Sequence, residues 1–247
     1  MASISGLPKV VGADLYASQA VPSHLIGTIM WDMKTGRAYR YASAGETLVV
    51  GNLVQAAVRT AQHENLAIGT AAVAKDKYLQ VTNGTTTIVP ADFIGGTISV
   101  YTAGTVTVCD EYTIVAIGGT LTTGGALKVY TDQPVRYAYT TNATVNLKKS
   151  PWANVIQAPI TTATEMCVGS VIYPIASGEY GWIQTHGPAT VLSSNQSFAV
   201  GSNIGTPCLD AAGAVNVYAA ATAKQNIGVS RMANATGCGV AVFLRID

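Results

Sequence analysis

The chain has 247 residues, enough for one large domain or two small ones. Its 14 Lys and Arg residues are balanced by 13 Asp and Glu residues, which leaves a formal net charge of +1. A general nucleic-acid binder or a polybasic membrane binder carries a strong basic excess, so this balance argues against both classes.

The total charge is also low. Charged residues make up only 11% of the chain, whereas soluble domains usually contain about 25%. Two explanations stay open: a surface covered by Thr, Ser and Asn, or a surface largely buried in an assembly. No stretch reaches the ~20 apolar residues of a membrane-spanning helix, and the opening residues lack the pattern of a signal peptide.

The first signals in chain order are two turns. Residues 30–33 and 37–41 flank Lys34-Thr35-Gly36, and this spacing predicts a β-hairpin. Further on, Asn83-Gly84 is a pair that supplies both positive φ angles of a type I′ turn, so we expect a second hairpin there.

One segment between these turns has helical features. Ser43 and Glu46 have the spacing of a capping box, which would start a short helix over residues 46–62. Gly51 and the two valines before it weaken that helix, because glycine and β-branched residues are poor helix formers. The alternative is a strand followed by a loop.

Alternation of apolar and small polar residues dominates the remaining chain. This pattern places polar groups on one face of a strand and apolar groups on the other, and β-branched and aromatic residues are frequent in it. It predicts strands at residues 97–101, 105–108, 135–139 and 144–148. The apolar run at residues 239–246 predicts a buried closing strand.

Together these patterns predict an all-β protein: an antiparallel, jelly-roll-like β-sandwich or barrel with at most one short helix. A charged pair, two prolines and a Thr/Ala run interrupt the alternation between residues 148 and 164. We therefore divide the chain into an N-terminal β-rich region, residues 1–150, and a C-terminal β-domain, residues 151–247. A single continuous domain is the alternative.

Residues with catalytic or metal-binding chemistry are sparse. His24, His63 and His186 are far apart and belong to no metal-binding motif. Asp110 and Glu111 are adjacent, so on a strand they point to opposite faces and cannot share a substrate. No G-x-S-x-G elbow and no complete dinucleotide-binding loop occurs. We expect no catalytic, cofactor or metal site and no enzymatic activity, although a non-local pair such as Asp92 with Asp132 stays open.

The cysteines follow no disulfide or metal pattern. They are widely spaced and form no C-x-x-C pair: Cys109, Cys167, Cys208 and Cys238. We expect free thiols packed as small hydrophobic side chains. Cys109 continues the strand-like run of Val106 and Val108, which favours a buried structural thiol.

One aromatic pattern suggests a binding surface. Tyr180, Trp182 and Gln184 alternate with other residues, so on a strand they share one side. An aromatic pair beside an amide would stack on sugars or anchor a subunit contact, for which Trp and Tyr are favoured. The alternative is that Trp182 is a core residue. We call these three residues the stripe and treat them as a candidate interface.

The stripe belongs to a longer string that resembles known proteins. Residues 169–189 contain Gly178-Glu179-Tyr180-Gly181-Trp182-Ile183-Gln184, and they are followed by residues 199–205, residues 226–230 and the closing strand. This order resembles the C-terminal part of head decoration (cement) proteins and related small β-domains of tailed bacteriophages. Residues 45–55, 90–100 and 111–114 are similar to the same kind of protein. The chain is longer than the smallest decoration proteins.

The resemblance implies a function without catalysis. A decoration protein binds the outside of the capsid shell, often as a homotrimer, and stabilises contacts between subunits of the major capsid protein. It would be assembled in the host cytoplasm and reside on the virion surface, with no nucleic-acid or membrane partner. The small, uncharged segment from Met1 to Pro8 is a candidate arm for reaching a neighbour.

A second interpretation uses the same strings differently. The chain would then be a phage tail or fibre module that binds a host receptor or glycan, with Tyr180 and Trp182 as its aromatic contacts. A depolymerase is the least favoured alternative, since no carboxylate pair stands out.

Overall fold

The structure is a computed structural model, and it describes residues 15–102, 109–160, 162–193, 197–206, 212–218, 225–233 and 239–246. Nearly all regular structure in these residues is antiparallel β-sheet, with little helix. The predicted all-β class is therefore confirmed. The candidate arm from Met1 to Pro8, the predicted strand at residues 105–108, Cys208 and Cys238 lie outside the described residues.

The chain forms two compact units. One unit, residues Arg59–Ser150, is inserted between the two parts of the other, which end at Val58 and resume at Pro151. The proposed boundary at residue 150 lies where the inserted unit ends. The chain also passes from one unit to the other between Val58 and Arg59. The sequence does not predict this second boundary, because no change of composition marks it.

The first unit, here called the sheet unit, is built on a ten-stranded sheet. Its strands are β1 (Ile29–Asp32), β2 (Arg37–Ser43), β3 (Leu53–Gln55), β10 (Ile156–Gln157), β11 (Cys167–Val171), β12 (Tyr180–Leu192), β13 (Asn203–Thr206), β14 (Asn216–Val217), β15 (Gln225–Ser230) and β16 (Gly239–Arg245). They follow the order β10-β3-β11-β12-β16-β15-β13-β14, and β12 also pairs with β2, which pairs with β1. The long strand β12 therefore pairs with three other strands, β11, β16 and β2.

The inserted unit, here called the barrel unit, has a six-stranded sheet in the order β4-β9-β6-β7-β8-β5. Its strands are β4 (Leu66–Ala67), β5 (Tyr78–Thr82), β6 (Thr97–Thr102), β7 (Cys109–Gly119), β8 (Ala126–Thr131) and β9 (Ala143–Lys148). A short helix α1 (Pro90–Phe93) and a 3-10 turn (Ala61–His63) complete it. An antiparallel bridge between Ile68 and Val81 joins the two ends of the sheet, which almost closes on itself.

The sequence patterns explain most of these strands. In β6 and β8, alternate residues are buried, as the period-two pattern predicts. Lys34-Thr35-Gly36 links β1 to β2, with Asp32 opposite Arg37. The segment from Glu46 to Gln62 contains β3 and the start of the 3-10 turn, so the strand-and-loop alternative is confirmed for it.

Two predicted elements are wrong. The strand β5 that precedes Asn83-Gly84 pairs with β8 rather than with the next segment, so no hairpin forms there. The side chain of Asn83 is buried and donates to the carbonyl oxygens of Thr86, Leu121 and Thr122, which holds an irregular loop.

Residues 135–139 do not form the predicted strand. Val135 and Tyr139 are buried in the barrel core, but their backbones bond to the separate segments at Asp76 and Ala72. The alternation there reflects two side chains that point inward from a segment that forms no β-ladder.

Candidate functional site

The stripe Tyr180, Trp182 and Gln184 lies on one face of β12, as its spacing predicts. Trp182 stands opposite Tyr41 and Gln184 opposite Tyr39 on β2. Trp182 is only 1% exposed and Gln184 only 3%. The Gln184 amide is used internally, since it donates to the carbonyl oxygens of His186 (3.0 Å) and Pro188 (2.8 Å).

Residues 15–28 of the same chain cover this face. Gln19 pairs with Tyr180 through two backbone hydrogen bonds of 2.9 Å. The Tyr41 hydroxyl donates to Oε1 of Gln19 at 2.9 Å, and the His24 ring lies 5.3 Å from that of Trp182. The structure therefore places Trp182 and Gln184 in the core, the alternative considered for Trp182, and leaves only Tyr180 partly exposed.

Another set of aromatic rings lies near the surface of the sheet unit. Trp31 on β1 is 40% exposed, and its ring centre lies 5.6 Å from that of His186 on β12. The His186 ring in turn meets Phe243 on β16 edge to face at 5.3 Å. We call Trp31, His186 and Phe243 the aromatic row. His186 and Phe243 are both partly exposed.

Strand register brings these three residues together. Trp31 is opposite Ala38, and Ala38 is opposite His186, so the small Ala38 separates two aromatic side chains. The pairing of β12 with β2 shifts between Gln184 and His186, which moves His186 out of phase with the buried stripe. Because of this bulge, the single strand β12 places Trp182 in the core and His186 near the surface.

One cationic side chain, Arg245, lies beside the aromatic row. Arg245 places its guanidinium carbon 5.9 Å from the centre of the Phe243 ring. Arg37 lies on the opposite face of β2, with Tyr39, and its Nε donates to the carbonyl oxygen of Pro188 at 2.9 Å. Asp32, at the end of β1, accepts hydrogen bonds from the Thr35 hydroxyl and the Lys34 N–H, which lower the pKa of its carboxyl group.

The row therefore combines the residue types that dominate protein–protein contacts. Trp and Arg are enriched among the residues that contribute most to binding, and aromatic residues are enriched in interface cores. Met33, next to β1, is 87% exposed and adds apolar surface to the hairpin that carries Trp31. Sequence reasoning missed the row because its members are far apart along the chain and meet only through strand pairing.

The barrel unit places its carboxylates apart, as expected for Asp110 and Glu111. Asp110 is buried and Glu111 is exposed on β7. Asp110 lies 3.0 Å from the guanidinium of Arg136. Asp92 pairs with Lys149 at 3.2 Å, whereas Asp132 accepts a hydrogen bond from the Thr113 N–H, so these two carboxylates have separate partners.

Polar side chains line a cavity on the outside of the barrel unit. A cavity of about 250 Å³ is lined there by Thr97, Glu111, Thr113, Asp132, Gln133 and Arg136, with Tyr112 beneath them. Within the described ranges, no group of three His, Cys, Asp or Glu side chains is placed to hold a metal ion.

The two described cysteines differ. Cys167 is buried, and burial raises the pKa of its thiol to about 12. Cys109 is exposed, so its prediction as a buried thiol is wrong. On β7 the inward positions belong to Asp110, Tyr112 and Ile114, which leaves Cys109 on the solvent side.

The structure contains no helix, among the residues it describes, that is long and apolar enough to cross a membrane. No protein-family model, curated protein or solved structure matches the chain.

Proposed function

We propose that this chain is a structural protein of a tailed-phage virion that binds the outside of the head shell and stabilises contacts between major capsid protein subunits. The observation that carries the proposal is the aromatic row, a cross-strand set of partly exposed rings with Arg245 beside Phe243. Such a surface gains free energy when a partner removes it from water.

The phage-like strings support the same assignment. Residues 45–55 include β3, residues 169–189 run through β11 and β12, and the later strings include parts of β13 and β15. All belong to the ten-stranded sheet that also carries the aromatic row. The other two similar segments, residues 90–100 and 111–114, lie in the barrel unit, so the resemblance extends over both units.

The low charge of the chain is consistent with this role. A protein that occupies many equivalent positions on a shell needs only modest affinity at each contact when several contacts act together. We further propose that it binds as a homotrimer, because trimers match the local symmetry of such shells. Native mass spectrometry of the purified chain tests this, and a monomer at micromolar concentration would contradict it.

The alternative role as a tail or fibre module has less support. It requires Tyr180 and Trp182 as exposed contacts, and Trp182 is covered by residues 15–28. A receptor or glycan contact would have to use other residues.

The test uses undecorated head shells of the phage whose genome encodes the chain. We expect saturable binding and a higher melting temperature for the decorated shell. Trp31→Ala should weaken binding about 30-fold, the effect of a contact residue worth about 2 kcal/mol. Tyr137→Ala is the matched control, since Tyr137 is 52% exposed but belongs to the barrel unit.

Absence of binding to any head form would overturn the proposal. Equal loss of affinity in the Trp31 and Tyr137 variants would remove the aromatic row as its basis.

A further inference from the structure

The polar cavity of the barrel unit has the properties of a built binding site. Its walls come from three neighbouring stretches of chain: Thr97 on β6, Glu111 and Thr113 on β7, and residues 132–136 after β8. Thr97 and Thr113 are directly opposite each other in the sheet. The cavity therefore rests on paired strands, which hold side chains more firmly than a free loop does.

Each charged group at the cavity is held by a second contact. Arg136 is fixed by the buried Asp110 carboxylate at 3.0 Å and by the Glu111 carbonyl oxygen at 3.1 Å. Oδ1 of Asp132 accepts the Thr113 N–H at 3.0 Å. Oε2 of Glu111 accepts the Ser99 hydroxyl at 3.3 Å. These side chains are thus positioned before any ligand arrives, which lowers the entropy cost of binding.

The groups left over define the ligand chemistry. The second carboxylate oxygens of Asp132 and Glu111 accept hydrogen bonds, whereas Arg136 donates and the Gln133 amide and threonine hydroxyls can do either. A phosphate or carboxylate would be repelled by the two carboxylates, and a simple cation would meet Arg136. Hydroxyl groups both donate and accept, so they satisfy such a mixed lining at every position.

We propose that this cavity binds one sugar unit of a neutral saccharide. Its volume of about 250 Å³ lies below the range of about 300–1,000 Å³ for drug-sized ligands, which suits a single ring. This binding site lies in the barrel unit and includes no residue of the aromatic row. It goes beyond the proposed attachment to a head shell and stands or falls separately from it.

The experiment titrates the full-length, isotopically labelled chain with a panel of neutral hexoses, N-acetylhexosamines, their short oligomers and uronic-acid counterparts, followed by NMR. We expect neutral members to shift the amide signals of Thr113, Gln133 and Arg136. A uronic-acid counterpart should bind more weakly than its neutral form, because its carboxylate faces Asp132 and Glu111.

Variants locate the site. Asp132→Asn and Gln133→Ala should each weaken binding about 2- to 10-fold, the effect of one lost hydrogen bond. Asp76→Asn is the matched control: Asp76 also accepts a backbone N–H, from Val73 at 2.8 Å, but lies outside the cavity. Unchanged melting temperatures show that the variants are folded.

Two results would overturn the proposal. One is a panel in which no saccharide shifts the cavity signals. The other is binding that survives the combined Asp132→Asn and Gln133→Ala change. Failure of shell binding leaves this result untouched, since the shell assay depends on Trp31.

Discussion

Asp110 and Arg136 join the inside of the barrel unit to its surface through an ion pair of 3.0 Å. The Asp110 side chain is 7% exposed, whereas that of Arg136 is 52% exposed. The hydroxyls of Tyr112 and Tyr139 also donate to Asp110, at 2.6 and 3.3 Å. Burial raises the pKa of both phenols, which keeps them protonated as donors.

Removing the arginine should therefore leave a buried carboxylate without its charge partner. We expect Arg136→Met to lower the free energy of unfolding by about 1–3 kcal/mol, less than for a fully buried pair because Arg136 is half in solvent. Asp110→Asn should cost less, since an amide oxygen still accepts from Tyr112. Urea unfolding of both variants and of the double variant measures the coupling, and additive effects would show that the pair contributes nothing.

The two tryptophans Trp31 and Trp182 should differ sharply in their effect on stability. Trp182 packs against Met30, Tyr39 and Tyr41 and is 1% exposed, so Trp182→Ala should cost about 3–5 kcal/mol. Trp31 is 40% exposed, and Trp31→Ala should cost less than about 1 kcal/mol. Thermal unfolding of the two variants checks this. Equal losses would mean that Trp31 is a core residue and is poorly suited to a contact role.

The stripe and the aromatic row show where sequence reasoning succeeds and fails. Period two correctly places Tyr180, Trp182 and Gln184 on one side of a strand. It cannot say which segment covers that side, because the covering residues 15–28 come from elsewhere in the chain. The row depends on register and on one bulge, and neither leaves a local signal.

The same reasoning explains the outcome for the fold. Strands such as β6 and β8 have one solvated face, so their alternation is visible in the sequence. In β11 every residue is buried, so no alternation marks it. The insertion of the barrel unit after Val58 likewise has no signal in the sequence, because both units are built from the same kinds of residue.

Thiol chemistry should separate the two described cysteines. In a Cys208→Ser/Cys238→Ser background, iodoacetamide at pH 8 should modify Cys109 rapidly, because its side chain is exposed. Cys167 should react only under denaturing conditions, since it is buried and its thiol has a pKa of about 12. Peptide mass spectrometry over time measures both rates. Comparable rates in the folded protein would contradict the burial of Cys167.

A glycine on β15, an interior strand of the ten-stranded sheet, should resist substitution. A Cβ atom on Gly228 would lie 2.1 Å from the carbonyl oxygen of Phe243, which is closer than such atoms approach. We expect Gly228→Ala to cost at least about 2 kcal/mol and to disturb the pairing of β15 with β16. Gly178→Ala is the control: its Cβ would meet nothing within 4 Å, and only its φ of 78° is unfavourable. Similar losses of unfolding free energy in both variants would refute the steric argument.

His63 should make the barrel unit less stable in mild acid. Its side chain is 3% exposed, its ring meets Phe93 edge to face at 5.1 Å, and burial lowers its pKa below the ordinary 6.5. The unfolded chain therefore binds a proton more readily than the folded one. Stability is complete above pH 6.5 and declines as the pH falls from there toward the lowered pKa.

Hydrogen exchange of peptides from β6 and β9 measures this effect within the barrel unit. Protection should be greater at pH 7.5 than at pH 5.5 after correction for the intrinsic exchange rate, and His63→Gln should flatten that difference. His24→Gln is the control, because His24 belongs to the sheet unit and contacts Tyr41 and Trp182. If the pH dependence persists in the His63 variant, another group controls the acid stability of the barrel unit.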